Sequence, residues 1–530
     1  MQKRFSVWMP LMMALILILG IQIGRMLSNA NGKPGIFSNG ASSTFDEVLN
    51  FIQAKYVDTV NTAKLTDKAI EQLMVQLDPH SSFIPASDLK GVNELLDGNF
   101  DGIGVEFFTV NDTVTVVGII SGGPSEKAGL QVGDKIIMVN DSTIAGIGIA
   151  DNMVMKKLRG KKGTTVNVGI LRKGNSKLLS YKITRDKIPL NSIDASYMIT
   201  SSTGYIKINR FSSTTYDEFI KSLTSLKSKG MQSLIIDLRG NGGGYLESAT
   251  DIIDELLDQQ KLMVYTKGRV YPKQEYNSRV LGHFENGPVA ILIDEGSASA
   301  SEIVAGAIQD WDRGVIVGRR SFGKGFVEDQ LPLSDGSALR LTIAKYYTPS
   351  GRCIQKPYGE NVHDYYDEVY NRYTDGELTG DSHYKLSDST KYFTNKGRTV
   401  YGGGGIIPDV FIPLDTSITN QPYIKAILDQ NLLAPFAYSF YGNNKNQLTT
   451  IKTYSDLLLD KTLGSQLLSA FNKSTDELVN LRGSKSTIAG NYIMLQLQAY
   501  LARQMFGEFA FYAVLNTQDK TVQAALNALK

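Results

Sequence analysis

The spacing of apolar and polar residues changes several times along this chain, and each change predicts a different kind of element. From Thr44 the apolar residues recur at helical intervals, and Glu47 follows Thr44 at the spacing of a capping box, which starts a helix. The pattern predicts a small helical region that extends to about Leu77.

Short β-rich runs replace the helical pattern after Phe100. Two of them, Thr113 to Ile120 and Thr164 to Leu171, are bounded by Gly-Pro and Gly-Asp turns. One helical stretch, Ala150 to Leu158, interrupts them. This pattern predicts a small β domain.

Strands and helices alternate in the middle of the chain. The predicted strands are Gly204 to Phe211, Leu234 to Leu238 and Val289 to Ile293. The predicted helices are Tyr216 to Lys229, Tyr245 to Leu257 and Ala300 to Asp312. Such alternation is typical of an α/β core. Residues 357–399 are rich in Tyr, Asp and Gly with weak periodicity, which indicates a surface insertion without chemistry, and helical spacing returns beyond Asp415.

The N-terminus has the pattern of an export signal. Lys3 and Arg4 precede an apolar run from Val7 to Ile23, and Arg25 follows it. The run lacks a small-x-small cleavage site, which favours an uncleaved signal anchor over a cleaved signal peptide. Either way we expect the body of the protein to be exported, on the periplasmic side of the inner membrane or free in the periplasm.

Length and composition exclude several classes of protein. With 530 residues the chain exceeds what one hydrophobic core usually supports, so several domains are expected. The 55 Lys and Arg nearly balance 53 Asp and Glu, which argues against a nucleic-acid partner. Cys353 is the only cysteine and excludes an intramolecular disulfide or a thiolate metal cluster. We expect no metal and no cofactor.

A serine-rich junction is the first candidate for chemistry. Ser297, Ser299 and Ser301 lie where the strand Val289 to Ile293 ends and a helix begins. Such a junction exposes a hydroxyl beside free backbone N–H groups, which suits a nucleophile whose transition state carries an oxyanion. The same three serines could instead only cap the helix.

A serine nucleophile needs a base, and histidine is the commonest. The four histidines, His80, His283, His363 and His383, lie in no recognisable triad motif. Lys324 is the better candidate because Gly323 and Gly325 flank it and allow close backbone approach. A lysine acts as base only when neutral, so its pKa of about 10.4 must fall through burial. A solvated surface lysine is the alternative.

Residues 100–186 resemble a PDZ domain. Gly102, Ile103, Gly104 and Val105 stand where that family has its carboxylate-binding loop, and the run from Pro124 to Asp134 matches its central turn. Backbone N–H groups of such a loop hold a terminal carboxylate, while the adjacent strand edge pairs with the peptide. The glycines could alternatively be turn residues that only supply positive φ.

Four motifs together resemble the carboxyl-terminal processing (tail-specific) proteases, which are serine-lysine dyad peptidases with a PDZ domain. The motifs are residues 237–244, 297–310, 322–327 and 346–351. The resemblance implies Ser299 as nucleophile, Lys324 as base, and an oxyanion hole formed by Gly243 or Gly244 with the N–H of Ala300. It also implies peptide or protein substrates with free C-termini, and it leaves open a homo-oligomer or an adaptor.

The resemblance implies a multidomain α/β and α+β fold with a ClpP/crotonase-like core. The predicted domains are a signal anchor or signal peptide (1–30), an N-terminal helical region (31–95), a PDZ domain (96–188), a protease core (189–415) and a C-terminal helical region (416–530). The crotonase likeness raises an acyl-CoA enzyme as a rival, but such an enzyme has no use for Ser299, Lys324 or a PDZ domain. The non-catalytic rival is an exported PDZ scaffold or pseudoprotease.

One position departs from the family pattern. Glu328 replaces the glutamine that usually holds the lysine, and Gln330 follows two residues later. On a strand both would share a face, so either could support the dyad. A buried carboxylate beside Lys324 would keep the lysine protonated, so we expect Glu328 to be exposed, turned away or itself protonated.

Overall fold

The computed structural model describes residues 12–22, 44–110, 112–279, 281–359, 361–380, 384, 388–475 and 487–530. The chain divides into two compact units, Met1–Leu73 and Met74–Lys530. Residues 1–11 and 23–30 of the predicted export segment lie outside the described residues.

The described part of the first unit is helical. It contains α1 (residues 12–22), α2 (Thr44–Lys55) and most of α3 (Thr62–Val75). Asp46 and Glu47 lie in the first turn of α2 and Lys55 in its last turn, as the helix dipole favours. The helices predicted after Thr44 are therefore confirmed. Within the described residues, no helix combines the length and the apolar character needed to cross a membrane.

The small β domain follows helix α4 (Ala86–Asp97). Its elements are β2 (Asn99–Gly102), β3 (Val105–Val110), β4 (Thr113–Ile119), α5 (Pro124–Ala128), β5 (Lys135–Val139), β6 (Ser142–Thr143), α6 (Asp151–Leu158), β7 (Thr165–Leu171), β8 (Leu179–Thr184) and β9 (Asp186–Pro189). The sheet order is β3-β4-β5-β7-β8 with β6 on β5, and β2 pairs separately with β9. Strand β3 is therefore an edge strand of the described sheet.

A mainly parallel sheet forms the centre of the core, in the order β10-β11-β12-β15-β16-β21. Its strands are β10 (Ile193–Met198), β11 (Thr203–Ile208), β12 (Ser233–Asp237), β15 (Val289–Ile293), β16 (Val315–Gly318) and β21 (Val410–Phe411). Helices α7 (Thr215–Ser228), α8 (Leu246–Asp254) and α9 (Ala300–Asp310) follow β11, β12 and β15. Strands β12 and β15 are continuous apolar runs and fully buried, as expected between two covering layers.

A second, antiparallel sheet is built around the long strand β18 (Ala338–Tyr347). Its other strands are β1 (Ser82–Ile84), β13 (Leu262–Lys267), β14 (Gln274–Asn277) and β17 (Phe326–Pro332). β17 runs along one edge of β18, whereas β1 and β13 pair with opposite ends of the other edge. Helix α9 lies between the two sheets, and all its residues are buried.

Strand β1 corrects the sequence interpretation of residues 31–95 as purely helical. Ser82, Phe83 and Ile84 pair with residues 338–340 of β18. Three residues are too few to show a period of their own, so only the distant partner strand defines them.

Residues 357–399 are also more structured than their weak periodicity predicted. They contain α10 (Val362–Thr374), β19 (Lys391–Phe393) and the start of β20 (Thr399–Tyr401). Tyr365 and Arg372 of α10 are buried. The prediction of a simple surface insertion is therefore wrong for this helix.

The predicted C-terminal helical region is confirmed. Its helices are α11 (Thr416–Thr419), α12 (Pro422–Asp429), α13 (Leu433–Leu448), α14 (Tyr454–Leu459), α15 (Lys461–Thr475), α16 (Thr487–Phe506), α17 (Glu508–Leu515) and α18 (Lys520–Ala528). Tyr438 of α13 packs on Phe108 of β3, with ring centroids 5.4 Å apart. Tyr512 of α17 donates a 2.8 Å hydrogen bond to Asp194 of β10. The region thus contacts both the small β domain and the core.

Candidate active site

Ser299 stands at the junction of strand β15 and helix α9. Its backbone has φ 55° and ψ −116°, a strained conformation of the kind that occurs at functional turns. Ser297 and Ser301 are buried, and their hydroxyls donate to the carbonyl oxygens of Leu238 (2.8 Å) and Asn241 (2.9 Å). Ser299 is partly exposed. Among the three serines, Ser299 therefore has the hydroxyl that a substrate can reach.

Lys324 lies on the short loop that leads into β17. Gly323 has φ +90°, and a Cβ on it would lie 3.1 Å from the Cβ of Lys356. A Cβ on Gly325 would lie 2.7 Å from the backbone nitrogen of Gln355. Glycine on both sides thus lets the loop pack closely. The Lys324 side chain itself is 21% exposed, so it is mostly buried but still accessible from solvent.

Two buried side chains form hydrogen bonds with the backbones of both Ser299 and Lys324. The Tyr346 hydroxyl donates to the carbonyl oxygens of Lys324 (2.6 Å) and Ser299 (3.2 Å). Oε2 of Glu302 accepts hydrogen bonds from the backbone N–H groups of Ser299 (2.9 Å) and Lys324 (2.8 Å). These bonds fix the backbones of the two candidate catalytic residues relative to each other.

Glu302 is a functional residue that the sequence reasoning missed. It is fully buried, and its Oε1 accepts from the N–H of Gly323 (2.7 Å) and the hydroxyl of Ser321. Burial raises the pKa of the Glu302 carboxyl to about 7, although its hydrogen-bond donors act in the opposite direction. The signal was present in the sequence, because a glutamate three residues after the serine that starts a helix has capping-box spacing.

The glycine-rich turn at residues 241–244 packs directly on the candidate nucleophile. A Cβ on Gly243 would lie 2.7 Å from the Cβ of Ser299 and 3.0 Å from the nitrogen of Ala300. Ala300 is the first residue of α9, so its N–H has no acceptor within the helix. The N–H of Gly243 instead donates to Oδ1 of Asn241 at 2.8 Å. The Gly243 N–H is therefore occupied in this conformation, and the oxyanion hole of Gly243 or Gly244 with Ala300 stays a prediction.

Buried ion pairs anchor this turn. Asp237 at the end of β12 pairs with Arg239 (2.6 Å) and Lys207 (3.3 Å). Burial alone would raise the pKa of Asp237, but Arg239 and Lys207 hold it well below its usual range. Arg239 also lies 2.7 Å from Asp519, at the start of α18. The C-terminal helical region therefore contributes directly to the support of the site.

A second candidate site is the loop between β2 and β3. Ile103 and Gly104 lie between the ladders that end at Gly102 and begin at Val105. The carbonyl of Ile103 accepts from the N–H (3.0 Å) and the hydroxyl (2.7 Å) of Ser125, which fixes the loop. Because β3 is an edge strand, a peptide can add along it with its carboxylate at the loop.

Comparison with known proteins decides the family. The model of peptidase family S41 matches residues 202–362, and the PDZ domain model matches residues 102–183. The carboxy-terminal processing protease CtpB of Bacillus subtilis is 38% identical over 319 residues, which are 60% of this chain and 66% of that protein. The carboxy-terminal-processing protease of Bartonella bacilliformis is 34% identical over 331 residues, which are 60% of this chain and 75% of that protein. This chain belongs to peptidase family S41.

Membership confirms the predicted combination of a PDZ domain with a mixed α/β serine peptidase core. It also decides against the acyl-CoA enzyme considered from the crotonase likeness. The chain spans just under two thirds of the length of CtpB, so its own substrates and partners belong to the proposals below.

Glu328 gives this S41 peptidase an unexpected contact at the dyad. Its Oε1 lies 2.6 Å from Nζ of Lys324, and the Glu328 side chain is only 15% exposed. Of the three expected alternatives, an exposed Glu328 and a Glu328 turned away are therefore wrong, whereas a protonated Glu328 stays a prediction. A carboxylate at this position opposes transfer of the Ser299 proton to Lys324.

Gln330 does not support the dyad. Its amide donates to Asn93 (3.1 Å) and accepts from Arg340 (3.3 Å). Both ends of the side chain are thus directed to other partners, and the expectation of Gln330 as a support for Lys324 is wrong.

Helix α10 positions the chain that enters the Lys324 loop. Arg372 donates to three successive carbonyl oxygens, at residues 320–322 (3.2, 2.8 and 3.2 Å). Glu368 of the same helix accepts from Arg372 (2.7 Å) and from Lys356 (3.0 Å). Burial lowers the pKa of Lys356 to about 8, against the effect of Glu368. The predicted insertion without chemistry therefore supplies a buried network behind the lysine.

His80 lies beside this network rather than in a triad. Its Nε2 is 2.8 Å from the hydroxyl of Tyr365 on α10. Burial, together with the charge of Lys324, lowers the pKa of His80 to about 3. The imidazole is therefore neutral and fills a structural role at neutral pH.

Proposed function

We propose that this S41 peptidase is an exported serine endopeptidase that recognises the C-terminal tails of its substrates and cleaves them with Ser299 and Lys324. The observation that carries the proposal is that two side chains hydrogen-bond to the backbones of both residues. Glu302 and Tyr346 bond the backbones of both, while Ser299 alone among the junction serines is partly exposed.

In the proposed reaction Oγ of Ser299 attacks the scissile carbonyl carbon while neutral Lys324 accepts the hydroxyl proton. The new C–O bond forms as the carbonyl electrons move onto oxygen, where the N–H of Ala300 donates to the oxyanion. Collapse of this intermediate breaks the C–N bond, and Lys324 gives its proton to the leaving amine. Water, deprotonated by Lys324, then hydrolyses the acyl ester and frees Ser299.

Glu328 opposes proton transfer in the resting site of this scheme. Its 2.6 Å contact with Nζ of Lys324 competes with the approach of that amine to the Ser299 hydroxyl. In this scheme substrate binding separates the contact, because the partly exposed Lys324 side chain is accessible from solvent.

Tail recognition is assigned to the PDZ domain. The loop Gly102, Ile103, Gly104 and Val105 would hold the terminal carboxylate through backbone N–H groups, and β3 would pair with the last residues of the tail. The domain could deliver the tail to Ser299, or it could obstruct the site when it is empty.

Location and assembly complete the proposal. The basic N-terminus followed by the apolar run supports export, with the chain held on the periplasmic side of the inner membrane by an uncleaved anchor. A homo-oligomer or an adaptor is compatible with the C-terminal helical region.

Labelling with a serine-reactive phosphonate, read by peptide mass spectrometry, tests the central proposal. We expect the label on Ser299 of the full chain and none on Ser299→Ala. Ser297→Ala and Ser301→Ala serve as matched controls; they should keep labelling and lose about 1 kcal/mol of stability each through a lost hydrogen bond.

Peptide hydrolysis by Lys324 variants tests the base. Lys324→Arg should be as inactive as Lys324→Ala in peptide hydrolysis, because a guanidinium stays protonated in proteins. Substantial hydrolysis by Lys324→Arg would show that another group is the base. A folded wild-type chain that takes no label at Ser299 would instead favour the non-catalytic PDZ scaffold.

A further inference from the structure

A row of cations lies on the face of the second sheet that is turned away from the core. Lys267 of β13 stands directly opposite Lys345 of β18. The next pair on this face, Tyr265 and Tyr347, stacks with ring centroids 4.8 Å apart. Like charges directly opposite each other destabilise a sheet, so the Lys267 and Lys345 pair carries a cost that a bound anion would remove.

A cleft of about 480 Å³ opens at this row. It lies where the edge of β18 is unpaired, between β1 and β13. Lys267, Arg269 and Lys345 give it positive charge, while Phe326 and Tyr358 give it apolar walls. The cleft therefore offers charge and apolar contact together.

Asp78 is the one acidic residue that lines the cleft, and its carboxylate is already engaged. It accepts from the N–H of His80 (2.8 Å), from the N–H and hydroxyl of Ser81 (2.8 and 2.6 Å) and from the hydroxyl of Thr342 (3.1 Å). Within the part of the chain that the structure describes, no carboxylate forms an ion pair with Lys267, Arg269 or Lys345. The cleft thus keeps its excess of positive charge.

The cleft adjoins the candidate active site. Phe326 of its wall is two residues beyond Lys324. Asp78 of its lining accepts from the N–H of His80, whose pKa is lowered by burial and partly by the nearby charge of Lys324. An extended peptide advances about 3.4 Å per residue, so a substrate held at Ser299 reaches this region within a few residues.

We propose that this cleft is a substrate subsite that binds a carboxylate a few residues from the scissile bond. The carboxylate is an acidic side chain or the terminal carboxylate of the polypeptide. Lys267 and Lys345 pair with it, and Phe326 and Tyr358 contact the neighbouring side chains. The inference rests on the proposed function and names its substrate class.

Peptide binding to the full-length Ser299→Ala protein, followed by fluorescence anisotropy, tests the subsite without cleavage. The probes are peptides with an amidated C-terminus, which keeps the PDZ loop unoccupied. Each carries one glutamate, placed at successive positions, and is otherwise uncharged. Each is matched by a peptide with glutamine at that position. We expect one glutamate position to bind about tenfold more tightly than its glutamine match, as charge-assisted hydrogen bonds allow.

Three added substitutions locate the effect. Lys267→Gln and Lys345→Gln should abolish the preference for glutamate, and Arg269→Gln, on the loop outside both strands, should weaken it without altering the sheet. Lys221→Gln, on the exposed face of α7, is the matched control and should leave the preference unchanged.

A neutral peptide with a free C-terminus distinguishes the two carboxylate sources. If its affinity falls in Lys267→Gln and Lys345→Gln, the cleft takes the terminal carboxylate; if only the glutamate peptides respond, it takes a side chain. Equal binding of glutamate and glutamine peptides, or a preference that survives both substitutions, would overturn the proposal. Loss of binding to phosphatidylglycerol vesicles without any change in peptide binding would overturn it in favour of a membrane surface.

Failure of the subsite and failure of the proposed function give different results. Cleavage by the wild-type chain without charge preference contradicts only the subsite. Charge-dependent peptide binding by a chain that neither cleaves nor takes the phosphonate contradicts only the proposed peptidase chemistry.

Discussion

At the scale of single residues, Glu328 sets the condition under which Lys324 can act. Replacing it by glutamine removes the anion that stabilises the ammonium form while keeping the shape of the side chain. We expect Glu328→Gln to raise kcat/KM roughly fivefold, the order of one modest ion pair.

Asp329→Asn is the matched control for this change, because Asp329 is the exposed neighbour on the opposite face of β17. It should leave kcat/KM unchanged. If Glu328→Gln loses activity instead, the carboxylate is needed to hold Lys324 in place and the ion pair is part of the working site.

Glu302, which bonds to the backbone of both dyad residues, makes the free energy of unfolding depend on pH. Its carboxyl has an ordinary pKa of 4.5 and a folded value of about 7, so the folded state binds the proton more tightly than the unfolded state. The free energy of unfolding contributed by Glu302 is therefore fully present below pH 4.5 and is lost as pH rises through about 7.

Urea unfolding of the wild type and Glu302→Gln between pH 4.5 and 7.5 measures this contribution. The difference in stability should change in favour of the variant as pH rises across this window, because glutamine cannot ionise. Activity should fall in the variant at every pH, since an amide cannot accept from all the donors around Glu302. A pH-independent difference in stability would contradict the raised pKa.

At the scale of elements, local pattern predicted those parts of the site whose residues lie close together in sequence. Strand β15 was predicted with its observed bounds, because Val289 to Ile293 is a continuous apolar run that ends in a turn. The serine-rich junction followed from its place between that strand and α9, and the family resemblance then selected Ser299. The glycines around Lys324 likewise had a purely local signal.

The parts that could not be predicted depend on distant partners. Arg372 is buried because it meets the carbonyls of residues 320–322, which its own tyrosine-rich segment does not reveal. The contact of Glu328 with Lys324 follows a break in strand register between Val327 and Glu328. Gln330 of β17 bonds to Asn93 of helix α4, a partner that is also distant in the sequence.

Edge strand β3 and its loop predict a dependence on the substrate tail. A tailed substrate that ends in a carboxylate should be cleaved about tenfold faster, below saturation, than the same substrate ending in a carboxamide, because amidation removes the charge that the loop binds. Matched kcat/KM measurements on the two substrates check this. Equal rates would contradict tail recognition.

Ser125→Ala separates the loop from the rest of the domain. It removes the hydroxyl bond to the Ile103 carbonyl, so the advantage of the carboxylate should shrink, whereas Ser142→Ala on exposed β6 should keep it. Cleavage of tail-less peptides should be unchanged if the domain delivers substrates and should rise if the empty domain obstructs the site.

At the scale of the whole molecule, the C-terminal helices join the two functional domains. Arg503 of α16 pairs with Glu106 of the PDZ domain at 3.2 Å, and Asp519 of α18 pairs with Arg239 of the core at 2.7 Å. The first contact is on the edge strand proposed to bind the tail. The second is on the turn that packs against Ser299.

Asp519→Asn tests the second contact. Asparagine still caps α18 but loses the charge that holds Arg239, so kcat should fall about tenfold with little change in Tm. Lys520→Gln, which breaks the exposed pair with Asp415, is the matched control and should leave both quantities unchanged. Wild-type kcat in Asp519→Asn would show that Asp237 alone is enough to orient Arg239.

The pair of Arg239 with Asp519 also orders events during biogenesis. Its partners are 280 positions apart in the sequence, and contacts that close such long loops form late in folding. A growing chain contains the nucleophile and the base long before the anchor of their glycine turn exists. We therefore expect full proteolytic activity to arise only after α18 has docked on the core.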